Sequence, residues 1–455
     1  MAMGLGYTNP MNRLTISIVV MITGVFCAAA DRTYALDART YVQRAVELIE
    51  AQQYTLARTY LEPALIDPRL HSGERSRAYY LRGFSFMAQG MPVSARKDYN
   101  RALEFNPKNA VVVLELGLLH GAGNGVEQDE ALALSLYEQA VALGYQRAQF
   151  YVGRAYLFGR GVEKNIETAR ASLTAAAEAD HLYAMMNLAA SYRAPHDAEP
   201  QPELALAWYE KAIEGGEHAA LLSIGFMHAN GEFGEADPVQ AVALFRQALD
   251  EGIAAAAVHL AYAHLTGTGV EKNPELARAL YIEAADAGVV PAYVGLGHLY
   301  EFGLGVAKDR ALARQWYEKG AALGQEEAML RLVSFHLQRD GEVARGEALK
   351  WSRLAALQGS AQAVNDYAWL LATSKVDDMR NGTLALDQAI KAVDLQASAA
   401  YLDTLAAAYA ELGNFEQAVS TQRQAIASIT SDEDGIAEDL QERLQYYERS
   451  EPWRE

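Results

Sequence analysis

The side chains best suited to chemistry in this chain are its histidines. Four of the 10, His120, His228, His264 and His336, are separated by multiples of 36 residues. Imidazoles held in one phase invite a metal reading. Zinc needs its ligand atoms about 2 Å from a common centre, whereas packed helices stand roughly 10 Å apart. Histidines on successive repeats would therefore not converge on one ion. Tyr156, Tyr192 and Tyr300 occupy the same column, which reads as a structural Tyr/His position. No metal and no cofactor are expected.

Other chemical signatures fail on context. The glycine pairs Gly123-Asn124-Gly125, Gly159-Arg160-Gly161, Gly267-Thr268-Gly269 and Gly303-Leu304-Gly305 are superficially like phosphate loops. They lack a preceding strand and a following Gly-Lys-Ser/Thr, so they read as turns. There is no Gly-x-Ser-x-Gly elbow and no His-Glu-x-x-His. Carboxylates are numerous, but none is paired by its setting. No catalytic residue is predicted, and the chain is not expected to be an enzyme.

The elements that carry these residues repeat. Leu116-Gly117 is followed by Val152-Gly153, Leu188-Ala189, Ile224-Gly225, Leu260-Ala261, Leu296-Gly297 and Leu332-Val333, each step being 36 residues with no gap. Other columns keep the phase: Ala133 to Ala313, Tyr137 to Tyr317, Ala148 to Ala328, and a glycine column from Gly144 to Gly324 broken once by Asp180. A small residue facing a large one lets two helices approach closely, and Ala133 and Tyr137, four apart, share one helix face. The glycine column suits a left-handed C-terminal cap, which Asp180 would tolerate less well. Asp129, Asn165, Asp237, Asn273 and Asp309 are predicted N-caps for the second helices. Pro238 and Pro274 follow two of them, at the first helical position, where proline is welcome. Trp208, Tyr209, Tyr281, Trp316 and Tyr317 lie in the seam and are expected to be core.

These residues identify a resemblance. Ala292, Leu296-Gly297, Tyr300, Gly303-x-Gly305-Val306, Asp309, Ala313, Trp316-Tyr317 and Lys319 are similar to a full Sel1-like repeat. The third, fourth and seventh units depart from it in the loop. Gly83, Ala95, Tyr99, Ala102 and Pro107 resemble a tetratricopeptide (TPR) unit, with a weaker one before it at Ala45, Ala57 and Ala64. Trp369, Tyr409, Gly413, Ala418 and Ala425 resemble two more, and Ile436, Leu440, Leu444 and Tyr447 form the apolar stripe of a final capping helix. The resemblance implies an all-α, right-handed superhelical solenoid of stacked antiparallel hairpins. The expected order is a signal peptide (1–30), two TPR-like hairpins (39–110), seven Sel1-like repeats (111–362), two TPR-like hairpins (363–430) and a capping helix with its tail (431–455).

It also implies action by scaffolding, with a protein or peptide held on a concave face. In TPR-like hairpins the groove position of the first helix is here Leu118, Arg154, Ala190, Phe226, Tyr262, His298 and Ser334. Arg154, Phe226, Tyr262 and His298 mix charge with aromatic surface and are the candidate partner-binding residues. A net charge of −19 disfavours nucleic acid and anionic lipid as partners.

The N-terminal segment sets the expected compartment. Arg13, an apolar run from Leu14 and the small residues Ala28-Ala29-Ala30 read as a secretory signal peptide, so an exported, periplasmic protein is expected. Retention as an N-terminal membrane anchor is the alternative, the stretch from Leu14 to Ala30 being 17 residues. Lipidation at Cys27 is a third reading, against which Phe26 stands where a small residue is wanted. Cleavage would leave no cysteine, unlike the cysteine-rich branch of the Sel1-like family linked with β-lactams. The functional expectation is an exported interaction scaffold in a cell-envelope assembly. A scaffold for exopolysaccharide secretion is a narrower form, and a peptidoglycan-fragment binder or cell-wall enzyme the competing class.

Overall fold

The computed structural model describes residues 37–193, 199–338, 342–429 and 437–454. The predicted signal segment, the third repeat's loop and Ile436 lie outside them. The described residues are all-α: paired helices joined by short loops, with no strand. They divide into two units that meet at Gly215–Gly216.

The first unit holds α1 (Ala38–Glu50), α2 (Tyr54–Ile66), α3 (Ser72–Met87), α4 (Pro92–Phe105), α5 (Ala110–Ala122), α6 (Glu130–Ala142), α7 (Gln149–Phe158), α8 (Ile166–Ala177), α9 (Leu182–Arg193) and α10 (Pro202–Glu214). The second holds α11 (Ala220–Ala229), α12 (Pro238–Asp250), α13 (Ala256–Thr266), α14 (Pro274–Asp286), α15 (Pro291–Phe302), α16 (Arg310–Ala322), α17 (Glu326–Leu337) and α18 (Glu342–Ala356). It continues with α19 (Ala361–Thr373), α20 (Gly382–Leu395), α21 (Ala399–Glu411), α22 (Phe415–Ala427) and α23 (Ala437–Glu448). Within each unit, successive helices pack against one another in sequence order. No helix among the described residues is long and apolar enough to cross a membrane.

The repeat columns become the seams. Ala148, Ala184, Ala220, Ala256, Ala292 and Ala328 are all wholly buried, as are Leu173, Leu188, Leu296 and Tyr317. Each small residue of the Leu-Gly pair sits under a large residue of the second helix. A methyl group built on Gly297 would come within 2.3 Å of the Tyr317 ring, and one on Gly83 within 2.6 Å of Tyr99. That contact is why the Leu-Gly pairs and the column from Tyr137 to Tyr317 keep the same phase.

The loops close by one recurring bond. The amide of each N-cap donates to the carbonyl of the Tyr/His column: Asp129 to His120 at 2.9 Å, Asn165 to Tyr156 at 3.0 Å, and Asp237 to His228, Asn273 to His264 and Asp309 to Tyr300 at 2.8 Å. The same N-caps accept from the amide three residues on, for example Asp129 from Leu132 at 2.9 Å and Asp309 from Leu312 at 3.0 Å. Each such cap contributes about 1 kcal/mol. The fourth repeat lacks the spaced glycine pair, yet closes with the same bond.

Asp180 adopts φ 58°, while its column mates Gly144, Gly252 and Gly288 lie at 91°, 84° and 79°. A left-handed residue with a side chain is strained. Asp180→Gly is expected to stabilise the first unit by about 0.5–1 kcal/mol, read as a higher urea midpoint.

The aromatic seam splits in two. Tyr209, Tyr281 and Tyr317 are core, but Trp208 and Trp316 are half-buried. Each tryptophan precedes the core tyrosine by one residue, about 100° round the helix. They shelter under Lys211 at 4.1 Å and Lys319 at 3.9 Å.

Candidate functional site

Buried residues of the first helices serve the seams, so what they can offer a partner lies on the face that packing leaves open. None of the seven groove-column residues is buried: Leu118, Arg154, Phe226 and His298 are half-buried, and Ala190, Tyr262 and Ser334 are exposed. One turn further along the same face come Phe158 and Phe302, about half exposed. Leu118 and Phe226 lean on neighbouring core clusters, but no member of the column is itself buried.

In the first unit this face carries a cavity of about 200 Å³, between α5, α6 and α7. Leu118, Ala122 and the rings of Tyr137 and Tyr151 form its apolar lining, with Arg154, Arg160 and Glu130 as its charged groups. The Arg154 guanidinium rests on Phe150 at 5.5 Å and Phe158 at 5.7 Å, and Arg160 meets Phe158 at 5.7 Å. Aromatic faces hold both arginines, and neither makes an ion pair among the described residues, which leaves their N–H groups for a ligand. Burial pushes the Tyr137 phenol up to about 12, so it stays protonated, and its hydroxyl donates to the Gly117 carbonyl at 3.2 Å. An apolar hollow flanked by two guanidinium groups suits a peptide that presents an apolar side chain beside a carboxylate.

Glu115 sits half-buried on the same helix as Leu118, and burial alone raises its carboxyl above the usual carboxylate range. The sign follows from linkage. A raised folded-state value favours the fold below the unfolded value of about 4.3, and that advantage is lost as pH rises through the folded value. Glu115→Gln should therefore match the parent near pH 4 and melt at a higher temperature at pH 7. Thermal midpoints that differ equally at both pH values would contradict the burial of this charge.

In the second unit the three candidates have different surroundings. Phe226 packs on Phe245 at 5.3 Å and His259 at 4.7 Å, so much of its ring serves the seam. Tyr262 is 60% exposed. His298 lies edge-on to Phe302 and Tyr317, each at 5.9 Å, with Nε2 3.5 Å from Glu327. Burial holds its imidazole below the ordinary histidine range and Arg331 pushes the same way, against Glu327 and Glu301. Arg154 belongs to the first unit and the other three to the second. Arg160 and Glu115 escaped the sequence reading, one as a loop residue and the other one turn before the chosen column.

The Sel1 repeat model matches 113–145, 146–181, 182–217, 218–253, 254–289, 290–325 and 327–360, together more than half of the chain. This chain belongs to the Sel1-repeat family. A tetratricopeptide repeat model matches 76–109. The Sel1 matches include the third, fourth and seventh units, whose loops depart from the pattern. Among solved structures, the chain is similar to c5321, a protective antigen of uropathogenic Escherichia coli displaying an SLR fold. The two share 24% identity over 84% of this chain and 81% of that one, with a TM-score of 0.46. A Sel1 repeat protein from Oxalobacter formigenes is 28% identical over 51% of this chain and 95% of its own, with a TM-score of 0.44. Yeast Tom70 is 15% identical over 90% of this chain and 96% of its own, with a TM-score of 0.41. No curated protein is matched by sequence. Sel1 and TPR repeat proteins bind protein partners.

Proposed function

We propose that this protein is an exported scaffold that holds a protein or peptide on the open face of its first helices, within a cell-envelope assembly. The observation that carries the reading is the groove column. It runs through every Sel1 repeat, is buried in none, and changes residue type from one repeat to the next. A position that only maintained the stack would repeat its residue, as the alanine columns do. The cavity at Arg154 gives the column one place deep enough to take a side chain. Export rests on the sequence of residues 1–30, with Arg13, the apolar run and the Ala28-Ala29-Ala30 site.

Two experiments test the proposal separately. A photo-crosslinking residue at position 154 or 262, introduced in cells, is expected to capture one defined protein, and the same residue at the exposed second-helix position Gln315 is not. Capture of nothing at 154 and 262, or of the same mixture at all three positions, counts against the binding face. Residues 1–36 fused to a reporter active only outside the cytoplasm should give signal. A silent fusion would remove export and leave the scaffold reading standing.

A further inference from the structure

The segment after the last helix folds back onto the second unit. α23 ends at Glu448, and Ser450 reverses the chain with φ 59°. The Glu451 amide donates to the Tyr446 carbonyl at 2.9 Å. Pro452, Trp453 and Arg454 then lie half-buried in an irregular conformation. Their contacts reach the final helix α23, and α21 and α19, the first helices of the last two hairpins.

Two receptor features hold this segment. The first is an aromatic slot. The Trp453 ring meets Tyr446 edge-on at 5.0 Å and lies over the Arg443 guanidinium at 5.5 Å, while that guanidinium lies over Trp369 at 5.0 Å. Arg443 is fixed from beneath. Its Nη1 donates to Asp403 Oδ2 at 2.8 Å, and the buried Gln422 amide donates to the other oxygen at 2.8 Å. The second feature is an anion. Arg454 Nη2 stands 2.5 Å from Glu411 Oε2, and its Nη1 donates to the Ala372 carbonyl at 3.4 Å. Arg380 takes the other oxygen of Glu411 at 3.1 Å.

We propose that this face is a second binding site, for an extended peptide with an aromatic residue followed by a basic one. The chain's own Trp453-Arg454 fills it in cis, and a partner segment of the same chemistry displaces them. The site is distinct from the Arg154 cavity and does not depend on export.

Three physical points favour a receptor over a simple clasp. The occupant has no helix and no apolar periodicity, so its place is set by a slot and a carboxylate rather than by repeat packing. The receptor side has its own supports: Asp403 and Gln422 are buried, and the bonds from Asp403 to Gln422 and Arg443 do not involve the segment. Tryptophan and arginine are also the side chains that most often dominate such contacts.

The test uses the full chain and a fluorophore-labelled peptide, Arg-Ser-Glu-Pro-Trp-Arg-Glu, followed by anisotropy. A tethered occupant competes at high effective concentration. The Trp453→Ala/Arg454→Ala double variant should therefore bind the peptide at least about 10-fold more tightly than the intact chain. Adding Glu411→Gln should reverse that gain, and a peptide with Glu in place of its second Arg should not bind. Equal affinity for the intact chain and the double variant, or no binding to either, overturns the proposal. Should the double variant lose its helical signal, Arg454→Ala alone, which keeps Trp453 in its slot, takes its place. Loss of the fold in that variant too would make the segment a structural clasp and the proposal wrong.

Discussion

Alanine in place of Gly161 is expected to destabilise the first unit by about 2–4 kcal/mol. Gly161 has φ 69°, and a methyl group there would come within 2.4 Å of the Glu130 carbonyl oxygen and closer still to its carbon. The loop of the second Sel1 repeat thus rests directly on the first turn of α6, the second helix of the repeat before it. Gly269 repeats the arrangement on Pro238, with 2.1 Å to that carbonyl oxygen. Neither contact can relax by turning a side chain, because the obstacle is backbone. Gly159→Ala is the control. It has the same handedness at φ 70°, but its methyl would meet the flexible Lys164 side chain at 2.9 Å. It should lose only the conformational term, about 1–2 kcal/mol. Urea unfolding followed by helical signal separates the two, and equal losses would show that the close approach carries no weight.

The second large effect is expected at Asp403, which is 5% exposed. Asp403→Ala removes the carboxylate that Gln422 and Arg443 share and leaves the largely buried guanidinium with only the exposed Asp439 at 4.0 Å, while Gln422 keeps the Leu440 carbonyl at 3.0 Å. Breaking a buried pair from one side costs about 3–5 kcal/mol. The loss should appear as early melting of α21–α23, seen as faster amide exchange there than in α13–α16. A change below about 1 kcal/mol would mean that the flanking indoles and Asp439 hold Arg443 without Asp403. Asp403→Asn, which keeps an acceptor for Gln422, should fall between the parent and the alanine variant.

The periodicity made the fold legible because every joint uses the same few residue types at the same spacing. The N-caps from Asp129 to Asp309, the buried alanines and the strained Asp180 could all be read from their columns. The groove column could be found by the opposite property, its variability, but its members' surroundings could not. Phe226 was read as a free aromatic, yet Phe245 and His259 draw it toward the seam. Trp208 and Trp316 share the seam's phase in sequence, yet a one-residue offset leaves them half-buried at its margin, Trp316 still against the core. Arg160 looked like the variable residue of a turn, and only the packing of α5 against α7 shows that the turn delivers it to the mouth of a cavity. The returning Pro452-Trp453-Arg454 segment was invisible for a simpler reason. Three residues without a period carry no record of where the chain turns back.

The seating of Gly161 on Glu130 and of Gly269 on Pro238 has an evolutionary consequence. The articulation between neighbours is built from main chain and a missing methyl group, so it is indifferent to whatever the exposed column displays. Arg154 or Tyr262 can be exchanged for another side chain without disturbing a hinge. On the scaffold role proposed above, new specificities would arise by single substitutions in that column while the frame stays as it is.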